Sequence, residues 1–226
     1  VLYQALSRQL FPDTAYRFES GGNPRAIPTL TYEEFLQTHA RHYALPNSYT
    51  VLYGDMDIDR ELAFIDERFC NAVERDAGEP NPLALQAPVS PAPARVEMAT
   101  AAGNASVGVS YVIGSAADRT RVLAADVLLD ALCGSNEAPL KRRVMDAGLA
   151  DDFQAMLLDG ILQPQAMFQL KGTREGAAEK FRALLEETCA ELAEKGIPRD
   201  KLSAALAQAG PRRRFGVEGE KLLCVR

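Results

Sequence analysis

The chain has 226 residues, 47% of them hydrophobic and 25% charged, which is ordinary for a folded globular protein and enough for one large domain or two small ones. A net charge of -6 excludes a protein built mainly to hold nucleic acid, which needs a basic footprint. No apolar run approaches the roughly 18 residues that cross a bilayer, so no membrane partner is expected.

The first residues, VLYQALSRQL, have neither the apolar core nor the cleavage site of a signal peptide. They also lack an initiator Met, so the expectation is a start inside a longer protein. Val1, Leu2, Ala5, Leu6 and Leu10 recur at helical spacing, and Phe11-Pro12-Asp13 ends that helix. Ser20-Gly21-Gly22-Asn23-Pro24 is a loop, without the glycine spacing of a phosphate cradle. Thr31 and Glu34 form a T-x-x-E capping box for a helix with Tyr32, Phe35, Leu36, His39 and Tyr43 on one face. Pro46-Asn47-Ser48 breaks it, and Tyr49 to Tyr53 predicts a strand rich in aromatic and β-branched residues. After the Gly54-Asp55 turn, Asp59 is the expected N-cap of a helix burying Leu62, Ile65, Phe69 and Val73.

Residues 77–94, with Pro80, Pro82, Pro88, Pro91 and Pro93, read as an extended linker and place the main domain boundary. Beyond it, Val107, Val109, Tyr111 and Ile113 alternate as a half-buried strand. Residues 119–132 predict a helix stopped by Gly134-Ser135-Asn136, and 139–147 a short helix closed by Gly148. Residues 153–158 and 166–171 predict paired strands. Thr173 is the expected cap of a helix carrying Ala177, Phe181, Leu184, Leu185, Cys189 and Leu192, ended by Gly196-Ile197-Pro198. A last helix starts at Arg199. Strands in pairs followed by helices predict an α+β fold, an antiparallel sheet with helices on one face.

Chemistry is sparse. His39 and His42, three apart on one helix, have no acidic or thiol neighbour to complete a metal site, and packing or surface roles are expected for both. Asp55-x-Asp57-x-Asp59 starts like a calcium loop. Arg60 stands where that loop needs Gly, however, and Asp66 where it needs a bidentate Glu, so turn and cap roles are expected. No G-x-S-x-G elbow accompanies the two histidines. Cys70, Cys133, Cys189 and Cys224 lie far apart with no C-x-x-C pair, which predicts reduced thiols and a cytoplasmic setting. Pro211-Arg212-Arg213-Arg214-Phe215 is a lone basic run, expected as a solvated tail.

Several short runs carry a resemblance. Phe11-Pro12-Asp13, Ser20-Gly21-Gly22, Ile27-Pro28, Leu30-Thr31-Tyr32-Glu33-Glu34-Phe35, His39, Tyr43 and Tyr53-Gly54-Asp55 resemble the insulinase/pitrilysin zinc metallopeptidases, in particular their presequence-protease branch. The likeness continues through Ala138-Pro139-Leu140, Asp146-Ala147-Gly148-Leu149, Gln163-Pro164-Gln165 and Lys171-Gly172, and so covers most of residues 1–208. Ala44-Leu45-Pro46-Asn47 departs from the family's His-Pro-Ser-Asn run, and the segment after Gln208 departs from its usual helix.

The resemblance implies parts of two metallopeptidase-type repeats, each an antiparallel sheet backed by helices, with pairs of repeats enclosing a peptide chamber. Residues 1–76 would be the C-terminal portion of the first, zinc-bearing repeat, 77–94 the Pro-rich linker, 95–210 most of a second, non-catalytic repeat, and 211–226 an atypical tail. The implied activity of the parent is zinc-dependent endopeptidase cleavage of peptides, by a metal-activated water with a glutamate base. The family's His-x-x-Glu-His motif is absent here, and its third ligand, a Glu, is expected before Val1. No catalytic or metal residue therefore transfers to this chain, its substrate-binding residues are undefined, and it is expected to bind no zinc and to be inactive alone. The expected partners are peptides for the parent, the remaining domains of the same polypeptide, and a second copy of the chain through truncated surfaces. A non-catalytic chamber or scaffold subunit of the same family is the alternative.

Overall fold

The computed structural model describes residues 1–43, 45–70, 84–101 and 103–224, with the side chains of 46 and 212–224 excepted. The chain divides into two compact units, one made of Val1–Phe18 with Ala84–Arg226, the other of Glu19–Leu83. Val1–Phe18 groups with the later residues because the apolar residues of the first helix find their cover far along the chain.

In the first unit, α1 (Leu2–Leu10) is followed by β1 (Ser106–Val112), α4 (Arg119–Cys133), α5 (Pro139–Asp146), β2 (Asp152–Leu158), β3 (Gln165–Lys171), α6 (Ala177–Lys195) and α7 (Arg199–Cys224); α2 (Tyr32–His42) and α3 (Ile58–Ile65) belong to the second unit. The strands form one antiparallel sheet in the order β1-β3-β2. Val109 and Ala155 oppose Phe168 on its two sides, and Val107 and Phe153 oppose Leu170. Because side chains alternate along a strand, these residues share one face with Ala166. That face carries the core, where Phe153, Phe168 and Phe181 pack with ring centroids 5.7 to 6.4 Å apart, with Leu140, Val144, Leu170 and Leu185 around them.

The other face is covered too. A Cβ added at Gly108 would meet the methyls of Leu2 and Leu6 at 2.9–3.1 Å, so α1 lies on the side of the sheet opposite the core helices. The expectation of helices on one face alone is corrected: Gly108 leaves the space that lets α1 approach. At the end of β3, Gly172 has φ +62°, and a Cβ there would collide with the Asp151 carboxylate. Only Gly serves both demands, which gives the Lys171-Gly172 run a physical reason. The cap of α6 is Gly176 in the left-handed region, instead of Thr173. The backbone of α7 continues through Pro211 to Cys224, where a solvated tail is expected. Of the expected linker, residues 77–83 lie outside the described residues, and 84–94 carry no regular secondary structure.

The second unit follows its local signals closely. Thr31 Oγ1 accepts from the Glu34 amide at 3.2 Å, and the Thr31 amide donates to Glu34 Oε2 at 2.9 Å, so α2 (Tyr32–His42) starts with a complete capping box. The N-cap of α3 (Ile58–Ile65) is Asp57, which accepts from the Arg60 amide at 3.2 Å; Asp59 lies inside the helix. No described side chain of this unit is buried. Tyr32, Phe35, Leu36, Leu62 and Phe69 are all exposed, against the expectation that they line a core, and Val73 lies outside the described residues. The strand expected at residues 49–53 does not form: the segment belongs to no sheet, and Tyr49 is 101% exposed. Strand propensity is realised only by pairing, and the one sheet among the described residues holds β1, β3 and β2.

Phe181→Ala should lower the unfolding free energy by about 3–5 kcal/mol by opening a cavity in the core. Phe35→Ala, on an exposed stripe, should change it by less than about 0.5 kcal/mol. Urea unfolding of the two variants, at a concentration low enough for the chain to be monomeric, measures the contrast, and a large loss for Phe35→Ala would show that α2 is covered within the chain after all.

Candidate functional site

The residues weighed for chemistry stay apart. The His39 ring stacks on Tyr43 at a centroid distance of 4.6 Å and an interplanar angle of 6°, and His42 is exposed on the last turn of α2. Asp57 is taken up by its cap, while Asp55 and Asp59 are exposed. Among the described residues no group of three or more His, Cys, Asp and Glu converges on a point that could hold a metal ion. The zinc implied for the parent thus does not fit these side chains.

Two of the thiols, Cys133 and Cys189, are shifted away from reactivity. Burial pushes Cys133 up to about 12, and burial also raises Cys189. Both are held as thiols at neutral pH, whereas a nucleophile or metal ligand must be the thiolate. Cys70, Cys133 and Cys189 are free. An open groove of about 570 Å³ is lined by Glu137, Arg142, Asp146, Asp151 and Asp152 among others, but its charges answer one another. Arg142 pairs with Glu137 at 3.6 Å and Asp146 at 3.5 Å, and Arg174 with Asp151 at 2.7 Å.

Two polar assemblies are better built. Between α5 and α6, Arg143 pairs with Glu191 and donates to Thr188 Oγ1 at 3.2 Å, while Lys195 joins Glu191 at 3.1 Å. The hydrogen bond from Arg143, then that from Lys195, holds the Glu191 carboxyl below its ordinary value.

The second assembly joins three distant segments. The buried Gln86 accepts from the Asp13 amide through Oε1 at 2.8 Å and donates to Asp13 Oδ2 through Nε2 at 2.8 Å. Its backbone amide donates to Gln163 Oε1 at 2.7 Å, and its carbonyl accepts from Gln163 Nε2 at 3.0 Å. Beside it Tyr16 Oη accepts from the Leu162 amide at 2.9 Å, and Phe11 is fully buried edge-on to Tyr16. Sequence reasoning missed Gln86. The runs Phe11-Pro12-Asp13 and Gln163-Pro164-Gln165 meet on it, but neither points to position 86 in the sequence.

Fold and site together define an α+β domain that offers surfaces and polar joints, with no assembled reacting group among its described residues. Residues 29–209 match the family described as the peptidase M16 inactive domain. Protein HypA of Clostridium perfringens (strain 13 / Type A) is 30% identical over 211 residues, covering 91% of this chain and 22% of that protein. Presequence protease 1, chloroplastic/mitochondrial, of Arabidopsis thaliana is 27% identical over 214 residues, covering 91% of this chain and 20% of that protein. Of solved structures, a peptidase M16 inactive domain from Pseudomonas fluorescens aligns with a TM-score of 0.66 at 19% identity, over 92% of this chain and 50% of that one. A putative M16-like peptidase from Alicyclobacillus acidocaldarius aligns at 0.64 and 18% identity, over 96% and 52%.

The chain belongs to the M16 family of insulinase-type metallopeptidases. It spans about a fifth of the length of the curated relatives it matches.

Glu191 gives a pH test. Its folded value lies below the ordinary 4.5, so the stability it contributes is complete above 4.5 and is lost as the pH falls through the lowered value. Thermal unfolding of wild type and Glu191→Gln should differ most near neutral pH, and the gap should narrow as the pH falls below 4.5. A gap constant down to pH 3 would rule the linkage out.

Proposed function

We infer that the chain is an internal, non-catalytic part of a zinc-dependent metalloendopeptidase, forming wall instead of active site in an enclosed peptide chamber. The observation that carries this is the match of residues 29–209 to the peptidase M16 inactive domain, in a chain about a fifth as long as relatives that include presequence proteases. On this reading zinc, the His-x-x-Glu-His motif and the peptide chemistry belong to parts of the polypeptide beyond this chain. The apolar stripes of α2 and α3 and the segment 49–53 are then inner surfaces, covered by the remaining domains. Their exposure, with caps complete and no buried side chain, supports that assignment. A reducing, cytoplasmic setting for the parent rests on the wide spacing of the four cysteines in the sequence. The inactive-domain description also fits a second reading, a scaffold subunit of the same family whose parent has no zinc motif. Sequence upstream of Val1 decides between them, since only the peptidase reading requires His-x-x-Glu-His followed by a Glu ligand.

The purified chain should take up no stoichiometric zinc and cleave no peptide. Elemental analysis after zinc loading, with a peptide-cleavage assay run with and without chelator, checks both. Chelator-sensitive cleavage by this chain would overturn the reading.

The same reading predicts that the chain alone self-associates through its uncovered stripes. Sedimentation velocity should show concentration-dependent dimers or larger species, shifted to monomer by the pair Phe35→Asp and Leu62→Asp. A wild-type chain that stays monomeric at high concentration would remove the argument from exposure.

A further inference from the structure

The second unit is inserted into the first: the chain leaves after Phe18 and returns at Ala84. The outgoing and returning legs therefore have to be held somewhere, and no regular secondary structure holds residues 84–94. We propose that Asp13, Gln86 and Gln163 form a clamp that fastens both legs of the insertion to the β2–β3 turn, so that the legs are held or released together.

The geometry is specific to that role. Gln86 uses its side-chain amide on one leg and its backbone on the turn. It bonds Asp13 twice, at 2.8 Å each, and Gln163 twice, at 2.7 and 3.0 Å. The Gln163 carboxamide thereby supplies the donor and acceptor that a neighbouring strand would supply to the Gln86 backbone. All four bonds fall in reciprocal pairs on Gln86, so losing Gln86 orphans groups on both other residues, and losing Asp13 or Gln163 orphans groups on Gln86. The clamp also lies at the end of α1, next to Phe11 and the Tyr16–Leu162 bond, and Gln9 Nε2 donates further along the returning leg to the Ala92 carbonyl at 3.2 Å. Opening the clamp would loosen α1 on its sheet face together with residues 84–87. It is a conformational device at the root of the insertion, and it stands whether or not the peptidase reading does.

Amide exchange in the full chain, read residue by residue by NMR, tests it. Gln163→Ala removes the partners of the Gln86 backbone and touches Asp13 nowhere. The expected result is exchange accelerated roughly tenfold at the Gln86 amide and also at the Asp13 and Leu162 amides, with β3 amides unchanged. Gln86→Ala should give the same pattern, and adding Asp13→Ala to Gln86→Ala should accelerate exchange no further. Acceleration confined to Gln86 in Gln163→Ala, or additive effects of Asp13→Ala and Gln86→Ala, would overturn the proposal. If Gln86→Ala fails to fold, Gln163→Ala and Asp13→Asn supply the comparison: Asn keeps an acceptor for Gln86 Nε2 and should leave all three amides protected.

Discussion

The ladder on both sides of β3 orders this molecule. Residues 165–171 exchange backbone hydrogen bonds with β1 on one flank and β2 on the other, so the parity of three strands is fixed at once. Ala166, Phe168 and Leu170 are committed to the helical side, and Gln165, Met167 and Gln169 to the side from which α1 approaches Gly108. A slip of one residue would exchange the two sets and put glutamines into the aromatic core. A three-stranded sheet gains independent stability only with an apolar face covered, and burial of Phe153, Phe168 and Phe181 under the helices provides that cover. Arg143, Thr188 and Glu191 then join α5 to α6 at the edge of an apolar layer already in place.

What was legible in the sequence was local. The T-x-x-E box at Thr31, the stops at Gly148 and Gly196, and the strand through Val107, Val109 and Tyr111 each depend on a few neighbouring residues, and each forms, although burial along the strand does not alternate and Tyr111 is exposed. Asp57 and Gly176 replaced the expected caps Asp59 and Thr173, because several adjacent residues can cap and the backbone path chooses among them. Tyr49 to Tyr53 failed for a different reason. Its β-branched and aromatic side chains satisfy strand propensity, but a ladder needs a second strand, and no window of sequence reports whether one exists. The clamp was equally hidden: Asp13 and Gln86 are 73 positions apart and Gln86 and Gln163 are 77. Polar residues buried by mutual hydrogen bonding leave no periodic trace.

The absence of an assembled reacting group among the described residues bears on how a family can be recognised without its chemistry. The runs that carry the resemblance do structural work. Gly172 is required by a positive φ and by Asp151, Thr31 and Glu34 start a helix, and Phe11 fills the core beside Tyr16. Gln163 completes a polar joint. Constraints of this kind belong to the fold and say nothing about catalysis.

The stretch from Leu10 to Asp66, continuous in sequence, serves two masters. Its first residues close the core unit, with Phe11 buried and Asp13 clamped; its later residues build helices that have every local reason to form and no core of their own among the described residues. Caps contribute about 1 kcal/mol each, whereas fully burying one large apolar side chain contributes about 1.5–3 kcal/mol. Helices of 11 and 8 residues, such as α2 and α3, are too short to persist in water on local terms alone. Their apolar stripes are what local structure leaves unaccounted for, since nothing among the described residues between Glu19 and Leu83 buries them.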